Sequence, residues 1–546
     1  VRDGQVAEGE STEAEVSQIA DRPARRLAGT AVIWVVSVAG LTAFFYVLGR
    51  RVVAGDSDSA TIVLQGQSIS AGHVTLSDWR MLYDSFWTVD APLYAVGVRL
   101  FGVDPGLMYL VPAFLGAGVA VVGAWLARER RGGVPGLAAV ATVVALVALP
   151  NLAWAAWYLH GGLHVGTVLW VLIAFVCLRG GQWRWRWTCA VAFLTAGLLG
   201  DLLTLPLGVL PVSGAGLTAM LRTRNWRTGL PAVSAALASG LLALAVRRLA
   251  VLVGAFEIGR RANPRAGLDQ QAANLGHVPG RLLWLFGVRD IPGTDSHVGS
   301  ALLNVHVVGM LAVAVALVVS VAALVRGTRV GHARGRLVDE SWHLDDLLAL
   351  ACLGSLAVFI VLAFDDDPAF VRYLTPVLMF GAILAGRMTG RLVASLRPVS
   401  LRRAGVAVGV AVVAAYAATT GVVASQPAQS VTGADLARFL DAHDLRDGVG
   451  SYWAASITTV ASGGKVSVRP VIGDDQGNIV RYDLQSSTAW YAGQAFQFLV
   501  YDRAVPWKGI DASTAVANFG PVAQTYAVGT FRVLVWSHPF SVDPTK

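Results

Sequence analysis

Eleven apolar stretches run along the chain, at roughly 28–49, 105–126, 135–152, 163–178, 188–204, 205–221, 229–246, 300–325, 345–363, 372–388 and 404–424. Most are long enough for a helix that crosses the hydrocarbon core of a bilayer, which takes about 20 residues. The pattern therefore predicts an α-helical polytopic membrane protein with about eleven transmembrane helices. The stretch 188–221 reads either as two spans or as one broken element, because Asp201, Pro206 and Pro211 interrupt its hydrophobicity.

The polar connections add an orientation. Taking the N-terminus as cytoplasmic, alternate connections carry Arg128, Arg130 and Arg131, then Arg179, Arg184 and Arg186, then Arg222, Arg224 and Arg227, then Arg326, Arg329, Arg334 and Arg336, then Arg391, Arg397, Arg402 and Arg403. Arginine-rich loops stay on the cytoplasmic side. Trp183, Trp185, Trp187 and Trp226 flank the same side, where indole rings favour the headgroup interface. An odd number of spans then places the C-terminus outside. The polar tail 1–27 precedes an apolar run long enough to be a retained anchor rather than a cleaved signal peptide.

Three outer segments are long: 50–104, 247–299 and 427–546. The predicted organisation is thus a cytoplasmic tail at 1–27, a membrane body at 28–426 carrying outer loops 50–104 and 247–299, and an extracytoplasmic C-terminal domain at 427–546. Aromatic and polar residues alternate from Trp79 to Phe101 in the first loop, and the second mixes Leu, Trp and Phe with several Arg. Both read as helices along the membrane surface. The last segment turns to Gly, Ser and Asp with β-branched runs such as Lys465–Val471 and Phe531–Trp536, which predicts a small α/β domain.

Composition agrees with the pattern. The chain has 546 residues, 55% hydrophobic and only 14% charged, and its mean hydropathy is +0.58, outside the range of soluble domains. The net charge of +8 sits in short clusters between apolar runs, so it marks topology and not a nucleic-acid surface. Cys177, Cys189 and Cys352 lie inside apolar runs and form no disulfide framework.

Candidate chemistry lies on the outer side. Gly55-Asp56-Ser57-Asp58-Ser59 follows the first span and sets two carboxylates at the membrane surface. Such a group can act as a general base or hold a cation; equally, Asp56 and Asp58 can cap the helix that begins near Ala60. The run Trp154–His164 brings Trp157, Tyr158, His160 and His164 to the same face, as sugar- or phosphate-contacting groups or as an interfacial aromatic belt. At the outer end of the tenth span, Arg372 and Tyr373 follow Asp365, Asp366 and Asp367. Arg372 suits a lipid-linked phosphate, or it pairs with those carboxylates. Arg260 and Arg261 offer a second basic pair. Tyr452, Trp453, Trp490, Tyr491 and Trp507 in the C-terminal domain can hold a glycan or form that domain's core. No Walker A loop, HExxH or GxSxG motif is present, so chemistry driven by cytoplasmic ATP is not expected.

A single span, an outer loop opening on an acidic pair, a surface helix and many further spans together resemble the GT-C superfamily of polyprenyl-phosphate-sugar-dependent membrane glycosyltransferases. Locally the resemblance rests on Gly55-Asp56-Ser57-Asp58, on Trp79–Tyr94 and on Arg372-Tyr373-Leu374-Thr375-Pro376. It implies a GT-C-like body in which Asp56, with Asp58 as its alternate, is the base, although Asp-Ser-Asp replaces the familiar Asp-Glu. It further implies that Arg372, Tyr373, Arg260 and Arg261 bind the donor phosphate, and that Trp79, Asp84, Asp90, Trp157, Tyr158, His160 and His164 contact sugar or acceptor. The implied partners are a polyprenyl-phosphate sugar, an envelope glycan, lipid or protein acceptor, and membrane lipids, with no nucleic acid. No cofactor is required, and a divalent cation is left open. The wealth of Ala, Val, Gly, Leu and Arg fits an actinobacterial cell envelope. The expected function is inverting transfer of a sugar to an envelope acceptor on the outer face of the cell membrane; the alternative is a transporter or flippase of lipid-linked sugars.

Overall fold

The computed structural model describes residues 10–179, 184–259, 265–288, 300–326, 344–363 and 368–542. Each of the eleven apolar stretches carries a helix. Among the described residues eight helices are long and apolar enough to cross a membrane: Ala31–Val52, Leu107–Arg128, Leu205–Thr223, Trp226–Leu252, Val305–Arg326, Leu344–Val361, Ala369–Ser395 and Val399–Ala424. The pair Gly133–Ala148 and Leu152–Tyr158, bent by 82°, makes a ninth when taken as one broken span. Pro150 stands in that break, and the Asn151 side chain caps the second helix by accepting from the Trp154 amide at 2.9 Å.

Among the described residues, eight or nine of the expected eleven stretches are thus full-length spans. Val165–Leu178 and Arg184–Gly200 have only 14 and 17 residues, or about 21 and 26 Å at 1.5 Å per residue, against about 30 Å of hydrocarbon. The chain is a multi-pass membrane protein with a core of long helices and two short ones packed among them.

The arginine-rich ends of the spans gather on one side. Arg387 pairs with Asp345 and Glu129, Arg391 pairs with Asp345, and Arg222 pairs with Asp346. The described parts of the loops 50–104 and 247–299 and the C-terminal domain occupy the other end. The linker after the last span is stitched to the end of the first: the Arg51 guanidinium donates to the Gln426 carbonyl at 2.6 Å, and the Gln429 amide to the Arg50 carbonyl at 2.8 Å.

Nine strands are present among the described residues: β1 (Trp79–Met81), β2 (Glu257–Ile258), β3 (Asp447–Ser451), β4 (Ser467–Gly473), β5 (Ile479–Arg481), β6 (Ser486–Ser487), β7 (Phe496–Asp502), β8 (Gln524–Val528) and β9 (Phe531–Phe540). Six form the sheet of the C-terminal domain in the order β5-β4-β3-β7-β9-β8, with β3 parallel to β4 and β7. Helices Ala434–Ala442 and Tyr452–Ala461 cover one face and Ala512–Phe519 the other. This is the small α/β domain that the β-branched runs predict.

The other three strands join all three outer segments. β1 from the first loop pairs in parallel with β2 from the second (Arg80 beside Glu257) and antiparallel with β6 from the C-terminal domain (Trp79 beside Ser487). The stretch expected to lie on the membrane as helix from Trp79 to Phe101 is a strand, then turns, then a helix at Ala91–Phe101 only. Main-chain hydrogen bonds to β2 and β6 hold Trp79–Met81 extended despite its mixed pattern.

Candidate active site

Asp56 closes the first span's exit. Gly55, at φ +75°, turns the chain there, and Asp56 begins the helix Ser57–Ser70 through a reciprocal cap with Ser59: its Oδ1 accepts from the Ser59 amide at 2.9 Å, while the Ser59 hydroxyl lies 3.1 Å from the Asp56 amide. The capping role and a chemical one coexist, because Oδ2 lies 3.0 Å from His160 Nε2. Burial opposes the charges on both groups, and their mutual attraction overcomes it. Asp56 is thereby lowered to about 2 and His160 raised to about 9.

Two residues on, Asp58 faces a cavity of about 330 Å³ between the membrane body and the C-terminal domain. The Tyr452 hydroxyl donates to its Oδ1 and stands 3.0 Å from Gln485 Oε1. Burial and then the Asp56 charge push the Asp58 carboxyl up to about 6, against the Tyr452 hydrogen bond and the positive His160 and Arg372. The two carboxylates of Asp-Ser-Asp are thus driven apart, one held ionised and the other titrating near neutrality.

Asp84 and Arg372 line the same cavity. The Arg372 guanidinium lies over the rings of Tyr373 and Phe370, 5.3 and 5.5 Å from their centroids, and its buried Nε has no hydrogen-bond partner among the described residues. A fixed, aromatic-flanked guanidinium beside a carboxylate is suited to gripping an anion. Phe86 and Gln485, both lining residues, hold positive φ angles of 54° and 53°, a conformation that is costly for residues with a side chain.

The remaining sequence candidates lie around the cavity or away from it. Tyr373 is buried between Phe370 and His164, whose ring is 5.4 Å away. His164 Nδ1 is 2.7 Å from Asp201 Oδ2, and that oxygen also accepts from the Thr167 hydroxyl. Asp90 is buried above Gly166 with Oδ1 unpartnered among the described residues; burial, then the Asp201 charge, raise its carboxyl to about 7. Trp79 packs edge-on against Trp490 at 4.9 Å, Trp157 against Trp284 at 6.2 Å, and fully buried Tyr158 stacks on Trp154 at 4.5 Å while donating to the Gly116 carbonyl at 2.5 Å. All three aromatics are engaged in packing contacts. Arg260, Arg261 and Asp365–Asp367 lie outside the described residues. Among the described residues no group of three or more His, Cys, Asp or Glu converges to hold the divalent cation that the sequence leaves open.

Sequence reasoning missed Gln485, Tyr482 and the pairing of His164 with Asp201. Asp201 carried a signal, a carboxylate inside an apolar stretch, but it read only as a break.

The chain is similar to several solved structures. Against ArnT from Cupriavidus metallidurans in the apo state it has a TM-score of 0.50 at 16% identity, covering 93% of this chain and 98% of that one. ArnT bound to undecaprenyl phosphate gives 0.49 at 16% identity over the same shares. The archaeal oligosaccharyltransferase AglB from Archaeoglobus fulgidus, in complex with an inhibitory peptide and a dolichol-phosphate, gives 0.43 at 11% identity, covering 94% of this chain and 76% of that one. The likeness to apo ArnT, end to end in both chains, shows that the two share one fold. No protein-family model and no curated protein sequence matches it.

Proposed function

We propose that the protein is an inverting glycosyltransferase that moves a sugar from a polyprenyl-phosphate donor to a hydroxyl of a cell-envelope acceptor on the outer face of the membrane. The observation that carries this reading is the meeting of Asp58 and Arg372 in one cavity at the end of the spans. Asp58 is the base. It takes the proton of the acceptor hydroxyl, whose oxygen attacks the anomeric carbon from the face away from the phosphate. The carbon–oxygen bond to phosphate breaks, and Arg372 neutralises the departing polyprenyl phosphate. A new glycosidic bond forms with inverted configuration, and the proton stays on Asp58 until solvent removes it.

Asp56 and His160 play a supporting part in this scheme. Asp56 begins the helix that aims Asp58, and its charge keeps the Asp58 carboxyl basic enough to accept a proton. Cleavage of an already activated sugar phosphate needs no nucleotide. The membrane setting lets the prenyl chain remain in lipid while sugar and acceptor meet in water. The GT-C fold shared with ArnT supports this choice as a fold-level analogy.

The test is transfer of labelled sugar from a polyprenyl-phosphate donor pool in membranes carrying wild type, Asp58→Asn or Arg372→Ala at matched protein levels. Loss of transfer in both variants, with the wild type active, is expected. A wild type that transfers nothing over a broad donor and acceptor panel, yet moves lipid-linked sugar across the bilayer, hands the function to the transporter alternative.

A further inference from the structure

Four aromatic rings of the C-terminal domain, Tyr452, Trp453, Tyr482 and Trp507, line the cavity that holds Asp58. They form one connected cluster, with centroids 4.9 Å apart for Tyr452 and Tyr482, 5.0 Å for Tyr452 and Trp453, and 5.6 Å for Tyr482 and Trp507. Tyr452 is buried and the other three are half-buried. Trp507 is also anchored on the domain's core, its Nε1 donating to the Val471 carbonyl at 3.2 Å, and it lines the cavity from there. Rings left partly open beside an amide and two carboxylates suit a ligand with apolar faces and hydroxyl edges.

Tyr482 lines a second cavity as well, of about 580 Å³, at the seam of β1, β2 and the segment Ile472–Leu484. Its charged groups are Arg80, Glu257, Arg481 and Asp483, and they neutralise one another: Arg80 lies 2.8 Å from Asp483 and 3.2 Å from Glu257, and Arg481 lies 2.9 Å from Asp483. Among the described residues, two guanidiniums against two carboxylates leave no formal charge to attract an ionic headgroup, while offering many donors and acceptors to hydroxyls. The three-stranded sheet beside it ends on the two-residue strands β2 and β6, too short an edge for a peptide to extend.

We infer that the acceptor is a neutral glycan of at least two sugar residues. Its terminal sugar packs on Trp453, Trp507 and Tyr482 with the reacting hydroxyl toward Asp58. The preceding residues pass Tyr482 into the charge-balanced cavity. The inference rests on the transferase reading and names the acceptor class for that same site.

The probe is the neutral glycan pool released from the envelope of the protein's source organism, size-fractionated and fluorescently tagged. Binding to the full chain in lipid nanodiscs is read by fluorescence polarisation. Binding is expected to tighten from monosaccharide to di- and trisaccharide. Trp507→Ala and Tyr482→Ala should each weaken it about tenfold, the scale of one well-placed aromatic contact, and Trp507→Phe should recover most of it at an unchanged thermal midpoint. Asp58→Asn should bind the glycans as the wild type does while losing transfer. If Asp58→Asn retains transfer, the base assignment fails and the glycan arms still decide this inference. Equal binding by heat-stable Trp507→Ala, equal affinity for monosaccharide and trisaccharide, or binding confined to anionic lipid or peptide overturns it.

Discussion

The Tyr452 hydroxyl donates its hydrogen to Asp58 across 394 positions of sequence. The bond ties the C-terminal domain to the first residues outside the membrane, and it does not stand alone. Thr61 of the helix Ser57–Ser70 donates to Ser456 of the helix Tyr452–Ala461 at 3.0 Å, and β1 is held between β2 and β6. The domain is therefore a wall of the cavity. Whatever enters to meet Asp58 also meets Tyr452, Gln485 and Trp507.

Asp58→Asn should lower the transfer rate by about 10²–10⁴-fold, the usual contribution of a general base, and should not unfold the protein. The folded chain holds the Asp58 proton more tightly than the ordinary carboxyl value of 3.8, so its ionisation costs stability as pH rises from about 4 towards 6, and the cost is complete above that. Removing the charge relieves this. At pH 7.5 the thermal midpoint of Asp58→Asn should equal or exceed that of the wild type. Asp56→Asn keeps a good cap residue and should reduce transfer far less; an Asp56→Asn variant as dead as Asp58→Asn would move the base to Asp56.

Arg372→Ala should cost about 10²–10³-fold in kcat, on the scale of losing one preorganised charge at a developing anion, and should raise the KM for the lipid donor. Arg372→Lys should recover only part, since an ammonium does not reproduce the planar fork or its stacking on Phe370 and Tyr373. Steady-state kinetics with a fixed acceptor separate the two parameters. Full recovery by Lys would reduce the role of Arg372 to bulk charge.

Much of the body was legible because a membrane span announces itself in a local run of sequence. The first span and the acidic pair after it, the arginine-rich connections and the runs that become β4 and β9 are all local signals. The two short helices looked like full spans because hydrophobicity alone does not mark where a helix stops. The site was legible only in halves. Asp56, Asp58 and Arg372 carry recognisable chemistry, whereas Tyr452 and Trp507 read as either glycan-holding or core residues and Gln485 carried no signal at all. Their role comes from domain packing over hundreds of residues, and no periodicity encodes that. The same limit hid the His164–Asp201 pair, assembled from two separate apolar stretches.

Gly66→Ala tests how tightly the first outer loop is packed beneath the site. A Cβ at Gly66 would stand 2.7 Å from the Tyr94 carbonyl carbon and 2.8 Å from the Tyr94 Cβ, where the helices Ser57–Ser70 and Ala91–Phe101 touch. Overpacking against backbone should cost about 1–3 kcal/mol and lower the thermal midpoint in detergent. Gly240→Ala, inside a span with nothing within 4 Å of the added atom, should leave the midpoint unchanged or raise it slightly through helix propensity. Equal behaviour of the two variants would mean that the loop helices separate freely.

The pH profile of Tyr452→Phe discriminates most sharply between a chemical and a structural Asp58. A base must be ionised to work, so the acid limb of kcat/KM for the wild type should lie near the Asp58 value of about 6. The Tyr452 hydrogen bond favours the ionised form and lowers that value; without it the proton is held more tightly, and the limb must move to higher pH. A net hydrogen bond is worth about 0.5–1.5 kcal/mol and one pH unit about 1.4 kcal/mol, so the displacement should be about half a unit to one unit. Transfer at pH 6 should fall several-fold while the plateau above pH 8 changes little. A Tyr452 that only braces the domain would instead depress the rate equally at every pH, and a limb that stays put or moves down would take the titrating base away from Asp58.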